Sequence, residues 1–224
     1  MKVILFGASG MIGQAALREC LLDSGVTQVL SVVRRPTGKQ HDKLREIVRR
    51  DLSDFSDIEP EFAGYDACFY CVGISSVGMK EADYRVVTYD MPLAAAAVLS
   101  RLNPGMTFVY VSAAGADSTE RSSTMWARVK GGAENALQRL PFRAVYVFRP
   151  FFVQPLNGIG SRTGWYNTLY ALTRPLTPLM MRLFPRYATT TTEIGRAMIG
   201  VVRHGAPTPV LHSLEFRQAA SSTT

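Results

Sequence analysis

VILFGASGMIG, residues 3–13, decides the fold class of this chain. Residues 3–6 form an unbroken apolar run, which is typical of a parallel strand buried on both faces. Glycines follow at positions 7, 10 and 13, and a helical pattern of apolar residues continues from there to about Asp23. A glycine turn between a strand and a helix is typical of a unit that holds the pyrophosphate of a dinucleotide at the helix N-terminus.

Each glycine of this turn has its own predicted task. Gly7 permits the tight turn, Gly10 lets the backbone approach a pyrophosphate, and Gly13 lets the helix and the strand pack closely. The alternative is a structural turn without a ligand. On the dinucleotide interpretation, the cofactor-binding residues of the turn are Gly7, Ser9, Gly10, Met11, Ile12 and Gly13.

The residues that follow the second predicted strand, 29–33, indicate which dinucleotide is bound. NAD-specific domains place an acidic residue there for the ribose 2′-hydroxyl, whereas this chain has Arg34 and Arg35. A guanidinium group can hold a 2′-phosphate through two hydrogen bonds, and a carboxylate would repel it. The sequence therefore predicts that NADP(H) is favoured over NAD(H), by at least ~1.4 kcal/mol. The alternative is that both arginines are solvated loop residues.

Strands and helices alternate through residues 1–150, which predicts a doubly wound parallel sheet, the Rossmann fold. The further predicted strands are 46–50, 67–72, 107–112 and 144–148, and the further predicted helices are 91–102 and 125–139. Two segments after strands are placed to reach the cofactor: Asp51 and Leu52 for the adenine, and Cys71, Val72 and Gly73 for a ribose or the diphosphate. We expect residues 1–150 to form the NAD(P)-binding core.

Residues 151–224 are expected to form a substrate-side cap and the C-terminal elements of the same domain. Prolines break the pattern there, although Thr190 and Glu193 form a capping box before a helix at 194–202. The segment 165–184 is rich in aromatic residues, methionine and arginine. It is interpreted as a core-packing cap, a substrate lid or a patch for peripheral contact with an anionic membrane. The small polar residues from Gln218 onward predict a frayed tail.

Composition and charge exclude several other classes of protein. The net charge is +7, but the basic residues are scattered, which makes nucleic acid an unlikely partner. Cys68 and Cys71 lie three apart in a predicted strand and point to opposite faces, so no metal site is expected from them. The N-terminal apolar run is too short for the core of a signal peptide, and no stretch of about 18 apolar residues occurs, so a cytoplasmic location is predicted.

The ordered set of motifs resembles the short-chain dehydrogenase/reductase superfamily. The resemblance is to its small atypical branch, the NAD(P)H-binding proteins of the Tat-interacting-protein and sugar-epimerase-like types. It implies a dinucleotide cofactor, a small-molecule substrate and an active-site serine and lysine. The matching positions are the glycine turn, Arg34 and Arg35, Asp51 and Leu52, Cys71 to Gly73, Ser112, Lys130 and Pro150.

One position departs from the family pattern Tyr-x-x-x-Lys, because Trp126 stands where the tyrosine is expected before Lys130. In the family the tyrosine exchanges a proton with the substrate oxygen, and an indole N–H cannot do so at working pH. Ser112 and Lys130 remain the predicted catalytic residues, and Lys130 also serves the nicotinamide ribose. Two functions are left open: an oxidoreductase or epimerase-like enzyme with an incomplete site, and a non-catalytic NADP(H)-binding redox sensor or regulatory protein.

Overall fold

The computed structural model describes residues 1–159 and 186–221. Seven parallel strands of these residues form the central sheet, in the order β3-β2-β1-β4-β5-β6-β9. Two short strands, β7 and β8, pair in parallel as a separate sheet. The strands are β1 (Lys2–Phe6), β2 (Gln28–Val33), β3 (Leu44–Val48), β4 (Ala67–Tyr70), β5 (Thr107–Val111), β6 (Ala144–Phe148), β7 (Phe152–Gln154), β8 (Ala188–Thr190) and β9 (Val210–Leu211).

Helices cover both faces of the sheet. Helices α1, α5 and α6 pack on one face, and a 3₁₀ turn at Glu59–Phe62 packs on the other face with α3 and α4. A π-helical turn, Val86–Asp90, joins α2 to α3. The helices are α1 (Met11–Leu22), α2 (Glu81–Arg85), α3 (Met91–Leu102), α4 (Met125–Gln138), α5 (Thr191–His204) and α6 (Ser213–Ser221).

Alternate residues of the central strands are buried on opposite faces of the sheet. In β1, Val3 and Leu5 pack with α1 and α5, whereas Ile4 and Phe6 pack with α3. Because both faces of each central strand are apolar, the sheet is stable only between two helical layers. The predicted doubly wound α/β fold is therefore confirmed. The strand order reverses beside β1, at the place where such folds form a ligand cleft at the carboxyl ends of their strands.

The structure departs from the predicted elements in several places. Strand β4 ends at Tyr70 instead of residue 72, and α5 spans Thr191–His204 instead of 194–202. The short strands β7, β8 and β9 were not predicted. Strand β3 begins and ends two residues earlier than predicted, because this edge strand is only partly covered. Helix α2 and the π turn were not predicted, because the apolar residues before α3 do not recur with a helical period. The predicted frayed tail is wrong for residues 218–221, since α6 continues to Ser221 and packs Ala219 and Ala220 against the core.

Other predictions are confirmed. The capping box of α5 is present, with Thr190 and Glu193 each accepting a hydrogen bond from the other's backbone N–H. Cys68 and Cys71 pack against opposite core layers, as predicted, although Cys71 lies just past the end of β4. Within the described residues no helix is long and apolar enough to cross a membrane. The three interpretations of segment 165–184 concern residues outside the described part of the chain.

Candidate cofactor and active site

Two glycines of the turn, Gly7 and Gly13, have no room for a side chain because other backbone atoms lie too close. Gly7 has a φ of 83°, and a Cβ there would lie 2.7 Å from the carbonyl carbon of Cys71. A Cβ on Gly13 would lie 2.0 Å from the Gly7 carbonyl oxygen. At Gly10, by contrast, the nearest protein atom to a Cβ would be 3.5 Å away. Gly7 and Gly13 are therefore required by packing, and Gly10 leaves its free side open to a ligand.

Helix α1 starts at this turn without a protein cap. Its N-cap residue, Gly10, has no side chain to accept a hydrogen bond, and the first turn contains no acidic residue. The first N–H groups of a helix need an acceptor, and together with the helix dipole they favour an anion. Met11 and Ile12 form this first turn. The backbone thus provides a place for a pyrophosphate.

A pocket beside the turn brings together most of the predicted cofactor residues. Leu52 is buried at its wall, and Arg34 closes it on the side of β2. Asp51 is exposed instead, and its carboxylate accepts hydrogen bonds from the Ser53 N–H at 2.8 Å and hydroxyl at 2.6 Å. The lining residues are Gly7, Ala8, Ser9, Gly10, Val32, Val33, Arg34, Leu52, Cys71, Val72 and Gly73.

A larger cleft of about 1090 Å³ continues from Ser9 along the ends of β2 and β3. Four cations line this basic cleft, and no carboxylate lines it: Arg34, Arg35, Lys39 and Arg50. None of the four has an ion-pair partner among the described residues, whereas most other arginines of the described chain do. Lys39 and Arg50 were missed at the sequence level. The position of Arg50, directly after the strand beside β2, is the signal that could have found it.

Ser112 lies just past β5 and takes part in a buried network. Its hydroxyl donates a hydrogen bond to Oε1 of Glu134, a residue of α4 that is only 1% exposed. Arg149, which follows β6, donates from Nε to both Glu134 oxygens at 3.1 Å. The proton of Ser112 is therefore directed into the protein, and only its oxygen lone pairs remain for a ligand.

Glu134 and Arg149 were also missed at the sequence level. Glu134 stands four residues after Lys130, on the same side of α4, and it is an acidic residue within a buried helical segment. Arg149 follows the apolar strand β6. Charged residues in such surroundings are rarely fully buried unless they are paired, so their positions were the available signal.

Lys130 is half-buried in α4, and its Nζ lies 5.8 Å from the centre of the Tyr110 ring. Burial lowers the pKa of its ammonium group to about 8, and the nearby Glu134 carboxylate acts in the opposite direction. Trp126 lies one turn earlier. Its ring packs over Gly115, where a Cβ would lie 3.1 Å from Cη2. The Trp126 indole therefore lies against the loop after β5 that contains Gly115.

In the described part of the chain, the hydroxyl of Tyr110 is not available to replace the missing tyrosine, and the ring face of Tyr89 is covered. The Tyr110 hydroxyl donates to the Thr88 carbonyl oxygen at 2.9 Å, inside the core. The ring of Tyr89 is covered by the Arg85 guanidinium, 3.8 Å from its centre. The carbonyl oxygen of Pro150 accepts a hydrogen bond from the Ala114 N–H at 3.0 Å, which ties together the loops after β5 and β6.

A family sequence model described as "NAD(P)H-binding" matches residues 7–140. The chain belongs to the NAD(P)H-binding family. The match begins at the glycine turn and ends after α4, so it includes the pocket and the Lys130 helix. The resemblance to the atypical short-chain dehydrogenase/reductases is confirmed with it, as is the prediction of a nicotinamide dinucleotide ligand.

Curated relatives of this NAD(P)H-binding chain have varied names. Leucinostatins biosynthesis cluster protein T of Purpureocillium lilacinum is 30% identical over 53% of this chain and 45% of its own length. Protein HTATIP2 of Rattus norvegicus is 29% identical over 66% of this chain and 61% of its own length. The chain thus spans about half to three fifths of these two relatives. Protein FMP52 of Meyerozyma guilliermondii, named mitochondrial, is 24% identical over 89% of this chain and 84% of its own length.

Solved structures confirm the fold of this NAD(P)H-binding chain. Gre2 of Candida albicans in complex with NADPH superposes with a TM-score of 0.70 at 13% identity, over 95% of this chain and 78% of that one. A short chain dehydrogenase family protein of Francisella tularensis superposes with a TM-score of 0.65 at 16% identity, over 91% of both chains.

Proposed function

We propose that this protein binds NADP(H) in preference to NAD(H) and acts as an atypical oxidoreductase or epimerase-like enzyme. The observation that carries the preference is the basic cleft, in which Arg34, Arg35, Lys39 and Arg50 lack carboxylate partners within the described chain. A 2′-phosphate would supply the missing negative charge. An NAD-type ribose, with a hydroxyl at that position, would leave all four cations without a partner.

The residues present fit a dinucleotide on the evidence of the chain's own packing. Gly10 leaves space where a side chain would block a phosphate, and the first turn of α1 has no protein cap. Leu52 and Val72 offer apolar walls to an adenine or a ribose. Bound at this place, the cofactor supplies hydride transfer. The chain's own residues bind it, orient it and handle the accompanying proton.

Lys130 is proposed to hold the ribose of the nicotinamide half, with its ammonium as donor. Ser112 is proposed to accept a hydrogen bond through its oxygen, because its own proton is donated to Glu134. Trp126 positions a substrate by packing and exchanges no proton. This division of roles leaves the substrate, or a water molecule bound with it, as the source of the proton.

Calorimetric titration tests the cofactor preference directly. We expect the wild-type protein to bind NADPH at least ~10-fold more tightly than NADH, a difference of ~1.4 kcal/mol. Arg34→Ala should reduce that ratio toward one by weakening NADPH binding and leaving NADH binding little changed. Arg139→Ala is the matched control, because Arg139 is an exposed arginine at the end of α4, away from the cleft. Equal affinities for NADPH and NADH in the wild-type protein would refute the preference.

Catalysis is tested by restoring the family residue at position 126. Trp126→Tyr should raise NADPH-dependent reduction of a carbonyl panel, because a phenol one turn before Lys130 can transfer a proton. Trp126→Phe is the control, since it reduces the ring without adding an acid. If Trp126→Tyr folds, binds NADPH and turns over no faster than Trp126→Phe, the site is not limited by the missing proton donor.

We also propose a cytoplasmic location, as the sequence predicts. Yeast relatives named mitochondrial offer the alternative. Fractionation of cells that express the full chain distinguishes the two, and recovery in a membrane-bounded compartment would overturn the proposal.

A further inference from the structure

We propose that Lys130 makes the cofactor pocket prefer reduced NADPH to oxidised NADP⁺, through an ammonium charge that has no ion-pair partner among the described residues. This inference rests on the proposed function, because it takes Lys130 to lie beside the nicotinamide half of the cofactor. It goes beyond that function by assigning the pocket a choice between the two redox states of one dinucleotide. The charge of Lys130 and its surroundings carry the inference.

The nearest acid to Lys130 is already engaged. Glu134 stands one helical turn after it, but both oxygens of Glu134 accept hydrogen bonds from Arg149, and one of them accepts from Ser112. No ion pair within 4.0 Å joins Lys130 to an acid of the described chain. The negative charge of Glu134 is therefore largely balanced by the Arg149 guanidinium.

Trp126 removes the second source of negative charge. A tyrosine at this place could ionise beside the lysine and balance its ammonium, whereas an indole stays neutral at every working pH. The Trp126 ring packs on Gly115 and brings no charge to the site. Trp126 therefore leaves the ammonium of Lys130 without the counter-charge that an ionised tyrosine would supply.

Among the described residues, the titratable groups on the elements packed around Lys130 form no ion pair with it. From β5, Tyr110 presents its ring face, and its hydroxyl is donated to the Thr88 carbonyl. From the loop that packs against α4, Asp117 accepts hydrogen bonds from the N–H groups of Thr119, Arg121 and Ser122.

Three further groups complete these surroundings. Glu120 of the same loop accepts from Asn135 at 2.7 Å. Tyr89, from the π turn, lies beneath the Arg85 guanidinium. From the end of β6, Arg149 is paired with Glu134. Asp117 and Glu120 keep their negative charges, but among the described residues neither forms an ion pair with Lys130.

The oxidised nicotinamide ring carries a positive charge, and the reduced ring is neutral. A protonated Lys130 would repel the first and not the second. Two unit charges a few ångströms apart in a partly wet site interact strongly enough to change a binding constant about tenfold. Because the pKa of Lys130 is lowered to about 8, this repulsion is near its maximum well below pH 8 and is lost as the pH rises through 8. NADP⁺ binding near pH 8 should therefore release protons.

The test is the ratio of the dissociation constants of NADP⁺ and NADPH, measured by calorimetry from pH 6.5 to 9.5. The 2′-phosphate is common to both ligands, so its titration cancels in the ratio. In the wild-type protein we expect the ratio to fall about tenfold across a midpoint near pH 8. Lys130→Arg, which keeps its charge throughout, should hold the ratio high at every pH. Lys130→Met, which has no charge, should hold it low at every pH.

Failure of the proposed function and failure of the Lys130 inference give different results in this experiment. If no dinucleotide binds to the wild-type protein, the proposed function fails. If both bind and the wild-type ratio does not change with pH, the Lys130 inference fails while the proposed function stands. Should Lys130→Met not fold, proton release decides the matter in the wild-type protein alone. Titrations at pH 8 in two buffers of different ionisation enthalpy should show release with NADP⁺ and none with NADPH, and equal release would overturn the inference.

Discussion

Charged residues are arranged in opposite ways in the basic cleft and in the buried network of Ser112, Glu134 and Arg149. In the cleft, Arg34, Arg35, Lys39 and Arg50 have no acidic partner within the described chain. In the network, the buried Glu134 is paired with the half-buried Arg149, and Ser112 joins them. Burial requires that charges be paired, because an unpaired charge in the core loses its hydration without compensation.

The difference separates charges that serve the fold from charges that serve a ligand. Exposed cations of like sign repel one another and contribute nothing to the folded state, so a cluster of them is best explained by an anion that binds there. The buried pair joins α4 to the end of β6 and fixes the orientation of the Ser112 hydroxyl. We therefore expect substitutions in the network to reduce stability, and substitutions in the cleft to reduce affinity.

Arg149→Met should have the largest effect on stability. It leaves the Glu134 carboxylate buried without its partner, which costs about 3–5 kcal/mol. Arg45→Met is the control, because the Arg45–Glu61 pair is exposed, at 52% and 40% of the two side chains, and such pairs contribute at most ~1 kcal/mol. Urea unfolding measures both. Equal losses in the two variants would mean that burial does not distinguish these ion pairs.

Gly13→Ala should reduce both stability and binding, because the glycine turn belongs to both categories. The added Cβ would lie 2.0 Å from the Gly7 carbonyl oxygen, so the turn must move. Overpacking of this kind costs about 1–3 kcal/mol, and a displaced turn no longer presents its N–H groups to a phosphate. Gly105→Ala is the control, since its Cβ would meet no atom within 4 Å. NADPH binding of Gly13→Ala equal to that of the wild type would show that the turn does not contact the cofactor.

Arg50→Ala should change affinity alone. Its removal is expected to weaken NADPH binding about fivefold, or ~1 kcal/mol, because an exposed charge-assisted contact is lost. The unfolding midpoint should stay unchanged, since Arg50 has no ion-pair partner among the described residues. The wild-type affinity should also fall with added salt, more steeply than that of the variant. A stability loss without an affinity loss would place Arg50 in the structural category.

Whether a region could be predicted from the sequence depends on how close together in the chain the residues that form it are. The glycine turn was predicted because strand, turn and helix are consecutive, and the same holds for the pair Arg34 and Arg35. Arg50 and Lys39 were missed because they reach the cleft from a neighbouring strand end and a loop, which only the sheet order brings together.

The network of Ser112, Glu134 and Arg149 also depends on contacts between residues that are distant in the sequence. The sequence predicts Ser112 at the end of β5, but not that its proton is donated inward. That direction depends on Glu134 and Arg149, which arrive from α4 and from the end of β6. Likewise, the residues from Gln218 onward were predicted to be a frayed tail, but they continue a helix that packs on the core, in which Phe216 stacks on Phe148 with ring centres 4.7 Å apart. Long-range contacts decided each of these features.

Lys130→Met should change stability least. The direction of the change distinguishes Lys130 from the residues of the buried network and from those of the basic cleft. Lys130 is a half-buried cation without an ion-pair partner among the described residues, and burial lowers its pKa to about 8. A lowered lysine pKa means that protonation opposes folding at pH 7, and that the penalty fades as the pH rises from about 8 toward the ordinary value. Lys130→Met should thus be more stable than the wild type at pH 7, by less than ~1 kcal/mol because water screens the group. The difference should vanish near pH 10.

Lys80→Met is the control for this last effect, since Lys80 is exposed and its removal should leave the unfolding free energy unchanged at both pH values. A Lys130→Met variant less stable than the wild type at pH 7 would mean that the ammonium is compensated after all, and Lys130 would join the structural network of Glu134. A more stable variant would show that the chain keeps an unfavourable charge at this position. A charge kept at a cost to stability needs a role in binding, as the choice between NADPH and NADP⁺ would provide.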